Sequence, residues 1–371
     1  MTERIATNRL VDAVARPQRG HLLGQLNLKS CELLSPAVGE LHARTLRDLD
    51  PSAVVEYPLV GEVRERVAER FGHSCERVLL TPGTDHAIQL ICEAFVQPAG
   101  RLVIATPHFD AWTRACLRLG VEVDAESQPS GGPVGVGALI ARMRAKGPCV
   151  VAVAQPDSFT GHAYRQDEIA ALSSAAAEHG SLLVVDTCYL AFAESGEQTV
   201  SPLAGEGHAL RVQSFSKSFG LAGARVGAVL GDESLIDHLA RWNVEGMVSG
   251  PALALLAGAL RAPWIFTAAY AEVAAARKLL SSGLTRLDPS CVARPSAANF
   301  VAFDAPEETA AWITSVLATA GIRIRSLNGL EGFAGGMRIA TPSLAAVRSV
   351  LGALANGRAA VAGAEPERAE G

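Results

Sequence analysis

Lysine is scarce in this chain: of its 33 Lys and Arg residues, only Lys29, Lys146, Lys217 and Lys278 are lysines. Any amine chemistry at a side chain must come from these four. Aromatic residues make up 5% of the sequence, so it is poor in stacking side chains. A basic excess is missing too, because 33 Lys and Arg against 38 Asp and Glu leave a net charge of -5. A phosphate-backbone binder needs the opposite balance, so nucleic acid is not an expected partner. The seven cysteines are odd in number, with no pair at metal or redox-motif spacing. They read as reduced thiols, with no metal site. The most apolar stretch, 250–276, is interrupted by Arg261 and Pro263 before it reaches the ~18 apolar residues that argue for a membrane span. It reads as buried helices, in the core or at a subunit interface, and no membrane partner is expected. Residues 1–20 carry charges throughout, without the apolar core of a signal peptide. A cytoplasmic protein is expected.

What is present is a globular composition, 49% hydrophobic and 19% charged over 371 residues. At about 150 residues per folding unit this predicts two or three units. From residue 77 onward, short apolar runs end in polar or glycine-rich turns and alternate with longer amphipathic stretches. Strands are predicted at 77–81, 101–105, 149–154, 182–185, 210–214 and 225–230, and helices at 85–95, 167–178 and 233–240. That rhythm predicts an α/β domain with a mostly parallel sheet. Ligands in such sheets bind beyond the carboxyl ends of the strands. Past about residue 245 come Ala/Leu-rich helices and then short strands at 299–303, 322–325 and 337–340, which predict a smaller α+β domain. A Walker-type loop is absent, and Gly220, Gly223 and Gly227 miss the dinucleotide-binding spacing.

The residues just after the predicted strands carry the chemistry. Lys217 lies in Ser214-Phe215-Ser216-Lys217-Ser218-Phe219-Gly220, eight residues before Arg225. A lysine among hydroxyls with a following arginine suits a Schiff base to an aldehyde cofactor that carries a phosphate; a solvated loop lysine is the alternative. Asp186 follows the apolar run Leu182 to Val185. A carboxylate there is costly to bury without a cation, which a protonated pyridine nitrogen would supply. A helix cap is the competing role. Tyr189 follows three residues later, where its hydroxyl would reach the same ring. Thr81-Pro82-Gly83-Thr84-Asp85 joins a strand to a helix whose first N–H groups would bind a phosphate, or which is simply capped by Thr84 or Asp85. Phe109 stands after the next strand, to cover a ring face or to fill core.

In this order the residues resemble the fold-type I pyridoxal-phosphate enzymes, specifically the class I/II aminotransferases and most closely their histidinol-phosphate aminotransferase branch. The likeness spans roughly 56–341 and is most specific from Ser214 to Gly227. It implies an aspartate-aminotransferase-like fold, in which a large domain with a mostly parallel seven-stranded sheet flanked by helices joins a smaller α+β domain. The implied division is an N-terminal arm with part of the small domain (1–45), a large cofactor-binding domain (46–245), a small domain (246–358) and a flexible tail (359–371). It also implies pyridoxal 5′-phosphate as cofactor, with Lys217 as Schiff-base lysine and general acid/base, Asp186 on the pyridine nitrogen and Tyr189 on the ring phenolate. Gly83, Thr84, Asp85, Ser214, Ser216 and Arg225 would surround the phosphate, Phe109 would stack on the ring, and Ser158 would stand beside its phenolic oxygen. Tyr57, in Glu56-Tyr57-Pro58, matches a tyrosine that reaches the phosphate from a neighbouring subunit, which implies a homodimer with shared active sites. Arg338 would grip a substrate carboxylate, with Arg325 as a second anion-binding arginine and Asn299 as a further substrate-side residue. For each arginine taken alone, a surface salt bridge is the default.

Two segments depart from the family. Gln155-Pro156-Asp157-Ser158-Phe159-Thr160-Gly161 replaces Asn-Pro-Asn-Asn-Pro-Thr-Gly, so a serine stands for an amide donor and a phenylalanine for a proline. Leu28-Lys29-Ser30-Cys31-Glu32 replaces the usual Asn-Glu-Asn-Pro segment at the pocket entrance. The expected activity is an aminotransferase taking an amino acid or amino-phosphate and a 2-oxo acid. The alternatives are β-elimination, decarboxylation or oxidative deamination on the same cofactor, as in natural-product biosynthesis, and a cofactor-binding but catalytically silent regulator.

Overall fold

The structure, a computed structural model, describes residues 24–127, 132–194, 196 and 207–364. The readings of residues 1–20 and of the tail beyond residue 364 lie outside these. Strand β1 (Leu26–Asn27) belongs to the second, smaller part of the molecule. The large sheet takes β2 (Val78–Thr81), β3 (Arg101–Thr106), β4 (Glu122–Ser127), β5 (Val150–Ala154), β6 (Leu182–Asp186), β7 (Ala209–Ser214) and β8 (Gly227–Gly231) in the order β2-β8-β7-β6-β5-β3-β4. Only β8 runs antiparallel to its neighbours; the other pairs are parallel. Because β5 and β6 are covered on both faces, their sequences are continuous apolar runs rather than alternating ones.

The one strand of this sheet that the apolar runs do not reveal is β4. Its sequence, Glu-Val-Asp-Ala-Glu-Ser, is half acidic and only partly buried, because it forms the sheet edge. Its three acids face basic partners: Glu122 pairs with Lys146 at 3.1 Å, Asp124 with Arg101 at 2.9 Å and with Arg142, and Glu126 with Arg142. The expected strand at 225–230 starts two residues later, at Gly227, since Arg225 adopts a left-handed φ of 56°.

The smaller part carries β9 (Val292–Ala293), β10 (Phe300–Asp304), β11 (Ile322–Arg323), β12 (Arg325–Ser326) and β13 (Met337–Ala340). Four of these form an antiparallel sheet in the order β12-β13-β10-β9, while β11 pairs in parallel with β1. The single strand expected at 322–325 is thus two, each serving a different sheet. Helices Glu307–Thr319 and Leu344–Ala364 pack against each other beside them, so helix continues past residue 358, where the sequence reading began a tail. Among the described residues no single helix is long and apolar enough to cross a membrane; Gly250–Leu260 and Pro263–Leu287 pass that test only as a pair, bent by 80°. Both bury their apolar residues in the main core, including Leu253, Leu256, Phe266 and Leu280. The architecture is the α/β fold with a seven-stranded, mostly parallel sheet and a smaller α+β part that the sequence predicts. Its consequence for function is that the carboxyl ends of β2, β3, β5, β6 and β7 point the same way, with β12 and β13 brought over them.

Candidate active site

At the end of β7 the Ser214 side chain accepts the Ser216 N–H at 3.2 Å and starts a one-turn helix, Phe215–Ser218. Lys217 sits on that turn and lines a cavity of about 320 Å³. Its amine donates to the Ser30 carbonyl of the entrance segment. Burial lowers the pKa of the amine below its ordinary value, against the opposing influence of Cys31, Cys188 and Glu32. A neutral amine is the nucleophilic form, so this environment favours attack on a carbonyl.

Strand β6 ends at Asp186, buried in the floor of the same cavity. One carboxylate oxygen accepts the Cys188 N–H at 2.9 Å, and burial raises its pKa above the ordinary value. Among the described residues it has no ion-pair partner. A carboxylate held in this way fits a cationic group that enters with a ligand. Tyr189, after the turn, meets Phe300 edge-on at 5.4 Å, and burial raises its phenol pKa well above the usual value.

Anion-binding groups lie at two corners. At the first, the helix Thr84–Ile91 begins after Gly83, whose φ of 83° and ψ of 174° only glycine adopts without strain. A Cβ there would lie 2.8 Å from the Arg225 guanidinium. Arg225 donates to Asp85 at 2.7 Å and reaches the Ser216 hydroxyl at 3.5 Å. The N–H groups of the helix's first turn have no intrahelical acceptor. Guanidinium, hydroxyls and helix start together are the donor set of a phosphate site. At the second corner Arg338, 4% exposed, donates to the main-chain carbonyls of Ser158 and of Lys29, the latter at 2.8 Å. Arg325 stands beside it on β12, the strand paired with β13. Partial burial, and then the Arg338 charge, lowers the pKa of its guanidinium. Neither arginine has a carboxylate at ion-pair distance among the described residues.

Of the residues singled out from sequence, Thr84, Asp85, Phe109, Ser158, Asp186, Tyr189, Ser214, Ser216, Lys217, Arg225, Arg325 and Arg338 all line this one cavity. Three do not. Gly83 stands behind Arg225. Asn299 is fully buried and donates its amide to the Cys31 carbonyl at 2.8 Å, so it supports the entrance segment from behind. Tyr57 is 94% exposed on the outer surface. The cavity also takes Lys29, Ser30 and Glu32, from the segment expected at the pocket entrance, and Asp110, which carries no motif. Ser30 contributes a main-chain carbonyl, which any residue type provides, and only the fold brings residue 30 to residue 217.

These residues fit pyridoxal 5′-phosphate: an amine for the aldehyde, a buried acid for the ring nitrogen, and a donor set for the phosphate. The family model for class I and II aminotransferases matches residues 26–354. The histidinol-phosphate aminotransferase of Chromobacterium violaceum is 29% identical over 309 residues, 82% of this chain and 84% of that protein. Among solved structures, histidinol-phosphate aminotransferase of Sinorhizobium meliloti in complex with pyridoxal-5′-phosphate superposes with a TM-score of 0.82 at 19% identity, covering 97% of this chain and 99% of that one. L-threonine-O-3-phosphate decarboxylase of Porphyromonas gingivalis has the same fold, with a TM-score of 0.74 at 20% identity over 89% of this chain and 98% of that one. The chain is a transferase and belongs to the class I and II aminotransferase family.

Proposed function

We propose that the protein is a pyridoxal-phosphate-dependent aminotransferase for an amino acid or amino-phosphate whose acidic end is held by Arg338 and Arg325. The observation that carries this reading is the convergence of the buried Lys217 amine, the unpaired Asp186 carboxylate and two separate anion corners on one cavity. Pyridoxal 5′-phosphate, when bound, supplies an aldehyde that condenses with amines and a cationic ring that takes up the electron pair left at the substrate α-carbon. Everything else is the work of this chain. Lys217 Nζ would hold the cofactor aldehyde and, once displaced by the incoming amine, would carry the proton from the substrate α-carbon to the former aldehyde carbon. Asp186 pairs with the ring nitrogen and keeps it protonated. The Tyr189 hydroxyl and Ser158 serve the ring oxygen, and Phe109 covers one ring face. Thr84, the main-chain N–H of Asp85, Ser214, Ser216 and Arg225 hold the phosphate, with Gly83 shaping the turn behind Arg225. Arg338 and Arg325 orient the substrate, while Asn299 keeps the Cys31 segment in place behind them. Tyr57 acts in the second protomer of a homodimer.

A second reading keeps the cofactor and replaces amino transfer with loss of CO₂, ammonia or a thiol. It rests on Ser158, where the family has an amide donor. The neighbouring Asp157 does not supply the missing donor, because a carboxylate oxygen accepts rather than donates; its Oδ1 takes the Phe159 and Thr160 N–H groups, at 3.0 and 2.7 Å, and the Thr160 hydroxyl. The fold shared with a decarboxylase is compatible with it.

The test is to load the purified protein with cofactor and add a panel of amino acids and histidinol phosphate, with product analysis by mass spectrometry. Amino transfer to the cofactor, with release of a 2-oxo product or an aldehyde, is expected. Release of CO₂, ammonia or a thiol without transfer decides for the second reading. Lys217→Ala should lower turnover by about 10⁴-fold; a variant with normal activity overturns both.

A further inference from the structure

Phe159 replaces the proline of the family motif, and the reaction above makes no use of it. Its ring is 5% exposed and packs with Ala302, Leu327 and Phe333. Its backbone is tied down, since its N–H donates to Asp157 Oδ1 at 3.0 Å. The Arg325 guanidinium carbon lies 5.0 Å from the ring centroid and that of Arg338 lies 5.9 Å from it. Arg338 also stands 4.8 Å from the Phe300 centroid, so two rings serve this guanidinium.

Two neighbouring guanidinium groups repel each other, and no described carboxylate forms an ion pair with either. Two carboxylates that line the same cavity are engaged elsewhere: Glu32 accepts the Asn27 amide at 3.2 Å, and Asp110 accepts from Arg114. Arg338 bonds only neutral main-chain carbonyls, and its Nε has no partner. An aromatic face attracts cations without neutralising them, so it can hold two of them together and leave both charges available to a ligand. Proline has no such face.

We propose that Phe159 is a positioning residue that holds Arg325 and Arg338 side by side, so that the two guanidiniums together, as a clamp, meet a ligand carrying two negative charges. Such a ligand is a phosphate, or a dicarboxylate with one carboxylate for each guanidinium. This inference rests on the reading of the cavity as the substrate site, yet it concerns binding and not the fate of the amino group.

The test is calorimetric titration of the cofactor-loaded protein with glutarate, inorganic phosphate and butyrate. The cofactor fills the other phosphate corner, so that phosphate reports on the clamp. The wild type should bind the two multiply charged anions more tightly than butyrate. Phe159→Leu, which keeps an apolar side chain but removes the aromatic face, should weaken glutarate and phosphate about five- to twentyfold and butyrate less than about twofold. Phe159→Tyr should restore wild-type preference. Equal weakening of all three ligands, or no weakening, overturns the proposal, as does a wild type without preference. Should the Leu variant fail to fold, the Tyr variant decides: retention of the preference supports the clamp and its loss overturns it. A protein that shows the clamp but transfers no amino group would sink the aminotransferase reading and leave this one standing.

Discussion

Lys217 and Asp186 share a cost: each is buried in surroundings that disfavour its charged form. For Asp186 the sign follows from its folded pKa lying above the unfolded value of 3.8. Ionisation therefore destabilises the cofactor-free fold at neutral pH, and the penalty fades as pH falls through the raised pKa toward 3.8. Asp186→Asn, which can still accept the Cys188 N–H, should raise the melting temperature of the cofactor-free protein at pH 7. The gain should shrink as the pH is lowered. If Asp186 meets the ring nitrogen as proposed, the same variant should also bind cofactor more weakly. Thermal unfolding across pH, with and without cofactor, measures both effects. At this scale much was legible in the sequence: a lysine among three serines, an acid closing an apolar run and an arginine eight residues on are local patterns. Asn299 was not legible in the same way, since its amide spends itself on the carbonyl of Cys31, 268 positions away.

The loop from Gln155 to Gly161 shows what an element contributes beyond its residues. It connects β5 to the cavity wall and presents Ser158 and Phe159 together. Its end is fixed by Gly161, at φ 78°, where a Cβ would come within 2.2 Å of the Ser296 hydroxyl oxygen. Gly161→Ala should cost about 1–3 kcal/mol from the left-handed backbone and the collision, read from denaturant unfolding. Adding Ser296→Gly should recover only part of it, since that removes the side-chain collision and leaves the Ser296 Cα at 3.1 Å and the backbone strain. Strands buried on both faces were readable as apolar runs, and β4 was hidden because an edge strand with three acids has no such run. The division of 322–325 between β11 and β12 was equally hidden, since pairing partners and not local propensity decide it.

At the scale of the whole molecule, one run of exposed residues is apolar. Val54, Val55, Tyr57 and Leu59 are 69%, 79%, 94% and 88% exposed. Gly246, in the adjoining segment with Val244 and Met247, lies against Tyr57 and Pro58. Contiguous apolar surface of this kind suits a protein partner, and the proposed homodimer supplies one. If Tyr57 serves the opposite site, mixing and re-annealing inactive Lys217→Ala with cofactor-deficient Tyr57→Ala should regenerate one intact site per hybrid dimer, about a quarter of wild-type activity in a statistical mixture. Activity no greater than the sum of the separate variants would place Tyr57 outside the reaction. Sequence by itself determined the fold class and singled out the lysine, the acid and the phosphate-type neighbourhood as candidates, because each is a short-range pattern tied to a strand end. Tertiary structure alone decided that Phe159 lies against both Arg325 and Arg338 and that the Ser30 carbonyl meets Lys217. Those relations join strands and loops far apart in the chain, and their physics is packing and like-charge proximity, which no local pattern records.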